Sequence, residues 1–292
     1  MKKIVKKILY TTCCAALLAG GSQVAMAEDK AEDLKPISVI LNGPVNAATM
    51  WFAVADELGY FADAGMKVTL KGGFGAYQSA QRLERLDEEK YDFAYGDINS
   101  NIEEVALYPE TAGVGVYMVM TKSPSAIIVP ADSKITHPKE LEGLRVLHHD
   151  RDVGKETFEQ LAAATGTDIS KITFIETTGA FPRLFDQMDA GKGEAVVGYI
   201  PTTTSALEAR GVIVKDRIKY IPFSDYLPNM YGSALIASQN MVNNHPDEVK
   251  AFVKALNDAV VFTNDNPDMA FALLLKRYPR WSFAMKAAER KR

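Results

Sequence analysis

The chain has almost no sulfur chemistry to offer. Only two cysteines occur in 292 residues, and they are neighbours, Cys13 and Cys14. That excludes a disulfide framework and a cysteine-rich zinc site. Histidine is scarce as well. His137, His148, His149 and His245 include no HExxH or other metal-ligand spacing. There is no surplus of positive charge, the formal net charge being −4. A nucleic-acid partner, which needs a basic face to neutralise phosphates, is therefore not expected. After residue 27 no run is long and apolar enough to span a bilayer. The GxSxG elbow, the P-loop and GxGxxG are all missing, which removes a serine-hydrolase nucleophile and the two commonest nucleotide cradles. No cofactor and no metal are expected. What is present, 47% hydrophobic and 24% charged residues, describes a folded globular chain of one large domain or two medium ones.

The average hides a targeting segment at residues 1–27. Lys2, Lys3, Lys6 and Lys7 form a positive head, residues 8–21 carry no charge, and Ala25-Met26-Ala27 is the small-x-small pattern of a signal peptidase. The apolar stretch is too short to stay as a membrane anchor. Tyr10-Thr11-Thr12 before Cys13 is a poor lipoprotein signal. Cleavage after Ala27 leaves 265 residues with no cysteine, and the loss of four lysines takes the charge to −8. Such a chain is expected in the periplasm, held by its hydrophobic core without disulfides.

The mature chain alternates strands and helices. Strands are predicted at 37–41 and 66–70, around a helical pattern in which Trp51, Val54, Ala55, Leu58 and Phe61 recur at three- and four-residue spacing. A helix is predicted at 79–86 and a strand at 91–95. Strands at 114–120 and 126–129 are expected to pair as a hairpin across 122–125. Further strands at 144–147, 172–175, 195–199, 218–221 and 233–237 alternate with helices at 154–165, 180–190, 201–210, 246–262 and 267–276. This is an α/β chain with mainly parallel sheets and helices on both faces. A unit of helix end, polar linker, acid, strand and glycine occurs at 83–96 and again at 184–198, which points to two lobes of similar build. Ligands in open α/β sheets bind outside the carboxyl ends of the strands, so two lobes would share one cleft.

Two loops could serve that cleft. Gly72-Gly73-Phe74-Gly75 lets a ligand approach the backbone, and the helix after it offers free N–H groups to an acceptor or anion. His149-Asp150-Arg151-Asp152-Val153-Gly154 repeats the device, with Arg151 and Lys155 either meeting an anion or forming a charged surface turn. His148-His149 follows a strand towards the cleft, with a binding role and a surface loop both open. Trp51, Phe74, Tyr77, Tyr95, Tyr199 and Tyr231 cluster at strand ends, and aromatic walls with a few polar groups make a small-molecule pocket.

These residues resemble a known family. Trp51-Phe52-Ala53-Val54-Ala55, Leu58-Gly59-Tyr60-Phe61 and Ala64-Gly65-Met66-Lys67-Val68 resemble the A-x-x-x-G-Y-F-x-x-x-G signature of the nitrate/sulfonate/taurine-type substrate-binding proteins of ABC importers. A branch of these binds thiamine pyrimidine precursors. Tyr91-Asp92-Phe93-Ala94, the run from His137 to Val146 and the run from Glu194 to Pro201 match further segments in order. The resemblance implies a type II two-lobe periplasmic binding protein closing like a hinge. Its first lobe would comprise 28–124 and 226–292, with the second inserted at 125–225. Carried over by position, the ligand-binding residues would be Asn46, Trp51, Phe74, Gly75, Tyr77, Asp97, Asn99, Arg151, Gly154 and Tyr199. Relatives usually carry serine or threonine at the second-lobe helix start, where this loop is charged, and usually continue past Arg292 through another helix or two.

The implied function is capture of a small organic ligand, aromatic or anionic, by a monomer. An ABC permease with its ATPase at the inner membrane would receive it. The alternative is an enzyme like the pyrimidine-forming synthases of the same fold. Those carry a cysteine-rich motif and no export signal, whereas the mature chain has no cysteine.

Overall fold

The computed structural model describes residues 34–73, 75–83, 90–150, 152–178, 183–208 and 210–279, with backbone alone at 76–78. The expected export signal at 1–27 lies outside the described residues. The chain forms two α/β lobes, each built on a five-stranded sheet.

The first sheet contains β1 (Lys35–Leu41), β2 (Met66–Lys71), β3 (Phe93–Asp97), β4 (Val114–Met118) and β10 (Ser233–Ala237), in the order β2-β1-β3-β10-β4. The second contains β5 (Ser125–Pro130), β6 (Arg145–His149), β7 (Thr173–Thr177), β8 (Ala195–Tyr199) and β9 (Ile218–Pro222), in the order β7-β6-β8-β5-β9. The sheets are topological copies. In each, three parallel strands lie at one side, followed by one strand that runs against them (β10 or β5) and an edge strand that pairs antiparallel to it (β4 or β9). The ends of β3 and β8 are therefore equivalent positions, and they carry Asp97 and Tyr199.

Near-continuous apolar strands follow from burial on both faces. In β5, Ile127 and Val129 enter one core cluster while Ala126 and Ile128 enter another. β8 divides likewise, with Ala195 and Val197 on one side and Val196 on the other. In the first lobe Phe93 and Tyr95 face the main core and Ala94 the opposite layer. That core centres on Phe252, stacked on Phe93 at 4.3 Å and on Phe61 at 5.0 Å between ring centroids.

The helices are α1 (Met50–Glu57), α2 (Tyr60–Asp63), α3 (Ala76–Gln81), α4 (Ile98–Leu107), α5 (Val153–Glu156), α6 (Phe158–Thr165), α7 (Arg183–Asp189), α8 (Ile200–Glu208), α9 (Val214–Arg217), α10 (Gln239–Asn244), α11 (Pro246–Asp265) and α12 (Pro267–Arg277). The helical pattern at 49–61 is interrupted by Gly59 at φ +78°, a left-handed turn that glycine adopts without a Cβ clash. The predicted helix at 154–165 is broken at Thr157, whose hydroxyl donates to the Val153 carbonyl at 2.7 Å.

The expected hairpin between 114–120 and 126–129 does not form. β4 pairs with β10 and β5 with β8 and β9. Residues 119–124 instead leave the first sheet and cross to the second. They are held by the return crossing at 223–232. Ser123 N–H donates to the Met230 carbonyl at 2.7 Å, and Gly232 N–H to the Met120 carbonyl at 3.0 Å.

Candidate ligand-binding site between the lobes

The site begins at the carboxyl end of β3. The strand ends at Asp97, whose extended backbone (φ −69°, ψ 132°) makes it the N-cap of α4. Its Oδ1 accepts from Asn99 N–H at 2.9 Å and from Asn99 Nδ2 at 2.8 Å. Asn99 also donates to the Tyr231 carbonyl at 3.0 Å. An Asx cap of this kind satisfies helix donors that have no partner within the helix. Asp97 is 1% exposed. Burial raises its carboxyl above the usual range, against the hydrogen bonds from Tyr199 and Asn99.

From the other lobe, Tyr199 at the end of β8 donates its hydroxyl to Asp97 Oδ2. Burial, then the charge of Asp97, pushes this phenol well above its ordinary range. Behind Asp97 lies Tyr95, whose ring packs edge-on to Trp51 at 5.8 Å and to Phe52 at 5.6 Å. Burial raises the Tyr95 phenol, Ser233 opposes the shift and Asp97 adds to it. The indole Nε1 of Trp51 and the Tyr95 hydroxyl are both buried, and neither makes a hydrogen bond of ordinary geometry.

The second lobe adds Asp152, the N-cap of α5. Its Oδ1 accepts from Gly154 N–H at 2.8 Å and more weakly from Lys155 N–H at 3.3 Å. Burial pushes this carboxyl up to about 7, against the two backbone donors and His149 and with Glu156. It is close enough to Tyr199 to raise that phenol. A Cβ on Gly154 would lie 2.6 Å from Val197 Cγ1, 2.9 Å from Asp152 Oδ1 and 3.6 Å from Ser125 Cβ. Glycine is what allows this helix start to sit on the sheet. Ser125, opposite Tyr199 in the β5–β8 register, is fully buried, and its hydroxyl has no partner.

Of the sequence-predicted residues, Trp51, Asp97, Asn99, Gly154 and Tyr199 converge on this cluster. Asn46 lies on the same side, where its 3-10 turn Ala47–Thr49 touches α8 of the other lobe. Its own side chain caps that turn, accepting from Ala48 N–H at 2.7 Å. Gly75 donates its N–H to the Asn42 carbonyl at 2.8 Å. A Cβ on neighbouring Gly73 would lie 2.1 Å from the Leu41 carbonyl oxygen, so that part of the loop is glycine for packing. Tyr77 falls on α3. Phe74 and Arg151 lie outside the described residues. Lys155, the other expected cation, extends over the Phe174 ring at 4.4 Å. His148 is nearly buried and meets the same ring edge-on at 6.1 Å.

Asp152, Ser125 and Tyr95 were not among the predicted binding residues. Asp152 had a legible signal, an acid two residues before glycine at a strand-to-helix turn. Ser125 had none. A polar groove at the far end of the first sheet, lined by Tyr91, Asp92, Ser238, Gln239 and Asn243, offers less. The Asp92 carboxylate there already accepts from Ser38 N–H at 2.8 Å and Ser38 Oγ at 2.9 Å.

Two like-built α/β lobes joined by paired crossings, with strand ends facing across a cleft, define the periplasmic binding protein fold. Solved structures agree. The alkanesulfonate-binding protein SsuA from Xanthomonas axonopodis pv. citri, bound to MOPS, is similar with TM-score 0.64 and 16% identity, over 84% of this chain and 79% of that one. The periplasmic aliphatic sulphonate binding protein SsuA from Escherichia coli gives 0.62 and 16%, over 86% and 83%. A desulfurization enzyme, DszB, solved as a cysteine-to-serine mutant in complex with biphenyl-2-sulfinic acid, gives 0.53 and 16%, over 83% and 80%. No curated protein matches in sequence. The chain belongs to the NMT1/THI5-like family, whose model matches residues 46–270.

Proposed function

We propose that the protein is the solute-binding component of an ABC importer. It acts in the periplasm after loss of residues 1–27, and it delivers a small organic ligand, held between its lobes, to a membrane permease. The observation that carries this reading is the Tyr199–Asp97 contact between lobes, set beside the buried, unpaired polar atoms of Trp51 and Ser125. Buried polar groups ordinarily have partners, and a bound solute supplies them. The partly exposed indole of Trp51 favours an aromatic or partly apolar ligand. The buried carboxylate of Asp97, with Lys155 turned to Phe174, favours N–H donors on that ligand and speaks against the anionic half of the aromatic-or-anionic expectation from the sequence.

An enzyme of the same fold is the competing reading, because DszB shares it. A thermal-shift screen against pyrimidines, aromatic carboxylates, sulfonates, riboflavin and nitrate, with each mixture assayed for product, separates the two. A ligand that binds only the folded state raises Tm by mass action. The expected result is one chemical class that raises Tm and is recovered unchanged. A compound consumed without a shift would give the enzyme reading the advantage.

A further inference from the structure

We infer that the Tyr199–Asp97 hydrogen bond is a latch: it holds the two lobes together with no solute bound, and it sets the fraction of the protein that is open. The inference concerns the protein alone, so its failure would leave the solute-binding reading standing.

The latch needs no third partner. Tyr199 donates its hydroxyl to Asp97 Oδ2. Asp97 Oδ1 is filled from its own lobe, by Asn99 N–H at 2.9 Å and Asn99 Nδ2 at 2.8 Å. Both oxygens of a carboxyl that is 1% exposed are thus met by protein donors, one of them from the opposite lobe. Hydrogen bonds to a carboxylate are stronger than those between neutral groups. The turn Ala47–Thr49 reaches α8 across the same cleft, so the two lobes touch on both sides of the latch partners' strands.

The latch is also wired to the hinge, in the same way from each lobe. The residue after each partner is bonded to a crossing. Ile98 N–H donates to the Gly232 carbonyl at 3.0 Å, on the return crossing, and Ile200 N–H donates to the Pro124 carbonyl at 2.9 Å, on the outgoing one. Asn99 Nδ2 donates in addition to the Tyr231 carbonyl at 3.0 Å. One side chain therefore holds both the latch acceptor and the return crossing. This places the contact on the cleft floor, beside the hinge. A hydrogen bond is lost once its heavy atoms part beyond about 3.5 Å, so rotation of one lobe away from the other must break it. A solute entering the cleft finds only the open fraction ready to receive it, and its apparent affinity falls by that fraction.

The test is single-molecule energy transfer on protein purified through a denaturing step and refolded, which removes any co-purified solute. The mature chain has no cysteine, so dyes can be attached at Thr69→Cys on β2 and Glu176→Cys on β7. Both positions are exposed, and both strands are the sheet edges farthest from the crossings. The wild-type background is compared with Tyr199→Phe, which keeps the ring and loses only the hydroxyl. The expected result is a closed, high-transfer population in wild type without added solute. Its ratio to the open population should fall about tenfold or more in Tyr199→Phe. Asp97→Ser removes the acceptor while keeping a side chain that caps α4. It should lower the ratio likewise, and it answers the question if Tyr199→Phe loses its cooperative melt. No high-transfer population in wild type overturns the latch. So does an equal ratio in wild type and the folded variants.

Discussion

Asp97 and Asp152 are carboxylic acids where burial opposes their charge, and this has a consequence for stability. Asp152 titrates at about 7 in the folded protein against about 4 in an unfolded chain. Between those values the native state holds a proton that the unfolded state has lost. Its contribution to stability is therefore complete below about pH 4 and is lost as pH rises through 7. Replacing Asp152 with asparagine removes that loss. Chemical denaturation of Asp152→Asn should show stability raised by about 1 to 3 kcal/mol at pH 8 and little changed at pH 5. A variant less stable at both values would refute the burial account. Tyr199→Phe works in the opposite direction. It strips the ionised Asp97 of a buried donor, so it should destabilise by about 1 to 3 kcal/mol, more at pH 8 than at pH 5. Thermal melts at the two values check the ordering.

Among the elements, the two crossings join the lobes, and on the proposed solute-binding reading they would set how the lobes move. Residues 119–124 and 223–232 bond to each other and pack closely around Gly232. A Cβ there would lie 2.6 Å from Pro124 Cδ, 3.0 Å from the Lys122 carbonyl oxygen and 3.1 Å from Met120 Cβ. Gly232→Ala should cost about 1 to 3 kcal/mol by overpacking and should slow ligand association by stiffening the hinge. Stopped-flow binding reads the second effect, and an unchanged association rate would argue against a hinge at this point.

Much of this level was legible beforehand. Strands such as 126–129 and 195–199 are apolar without alternation because both faces are buried. Helices α11 and α12 begin with proline where the sequence placed them. What was not legible depends on partners distant in sequence. The crossing at 119–124 looks like a hairpin turn because its β-branched flanks pair with strands about a hundred residues away. Helix α4 starts Ile98-Asn99-Ser100-Asn101, a poor run for helix on propensity alone, and forms behind the Asp97 cap. Asp97 and Tyr199 could be placed from their strand ends. The burial of Ser125 and the placement of Asp152 could not, because they arise from the packing of α5 onto β5 and β8.

For the molecule as a whole, two similar five-stranded sheets place their third strands, β3 and β8, so that each ends at the shared cleft. On the proposed function, closure would follow from recognition. A ligand that satisfies the unpaired groups on both faces binds the closed arrangement better than the open one, and only such a difference in affinity can shift the equilibrium. The most direct test uses the solute that gives the largest thermal shift. Its dissociation constant should be measured for wild type and for Trp51→Ala combined with Tyr199→Ala. The account predicts affinity weakened about a hundredfold or more, since each truncated aromatic anchor at a binding site is worth about 2 kcal/mol or more. Unchanged affinity in a double variant that is as stable as wild type would place the ligand elsewhere and contradict the account.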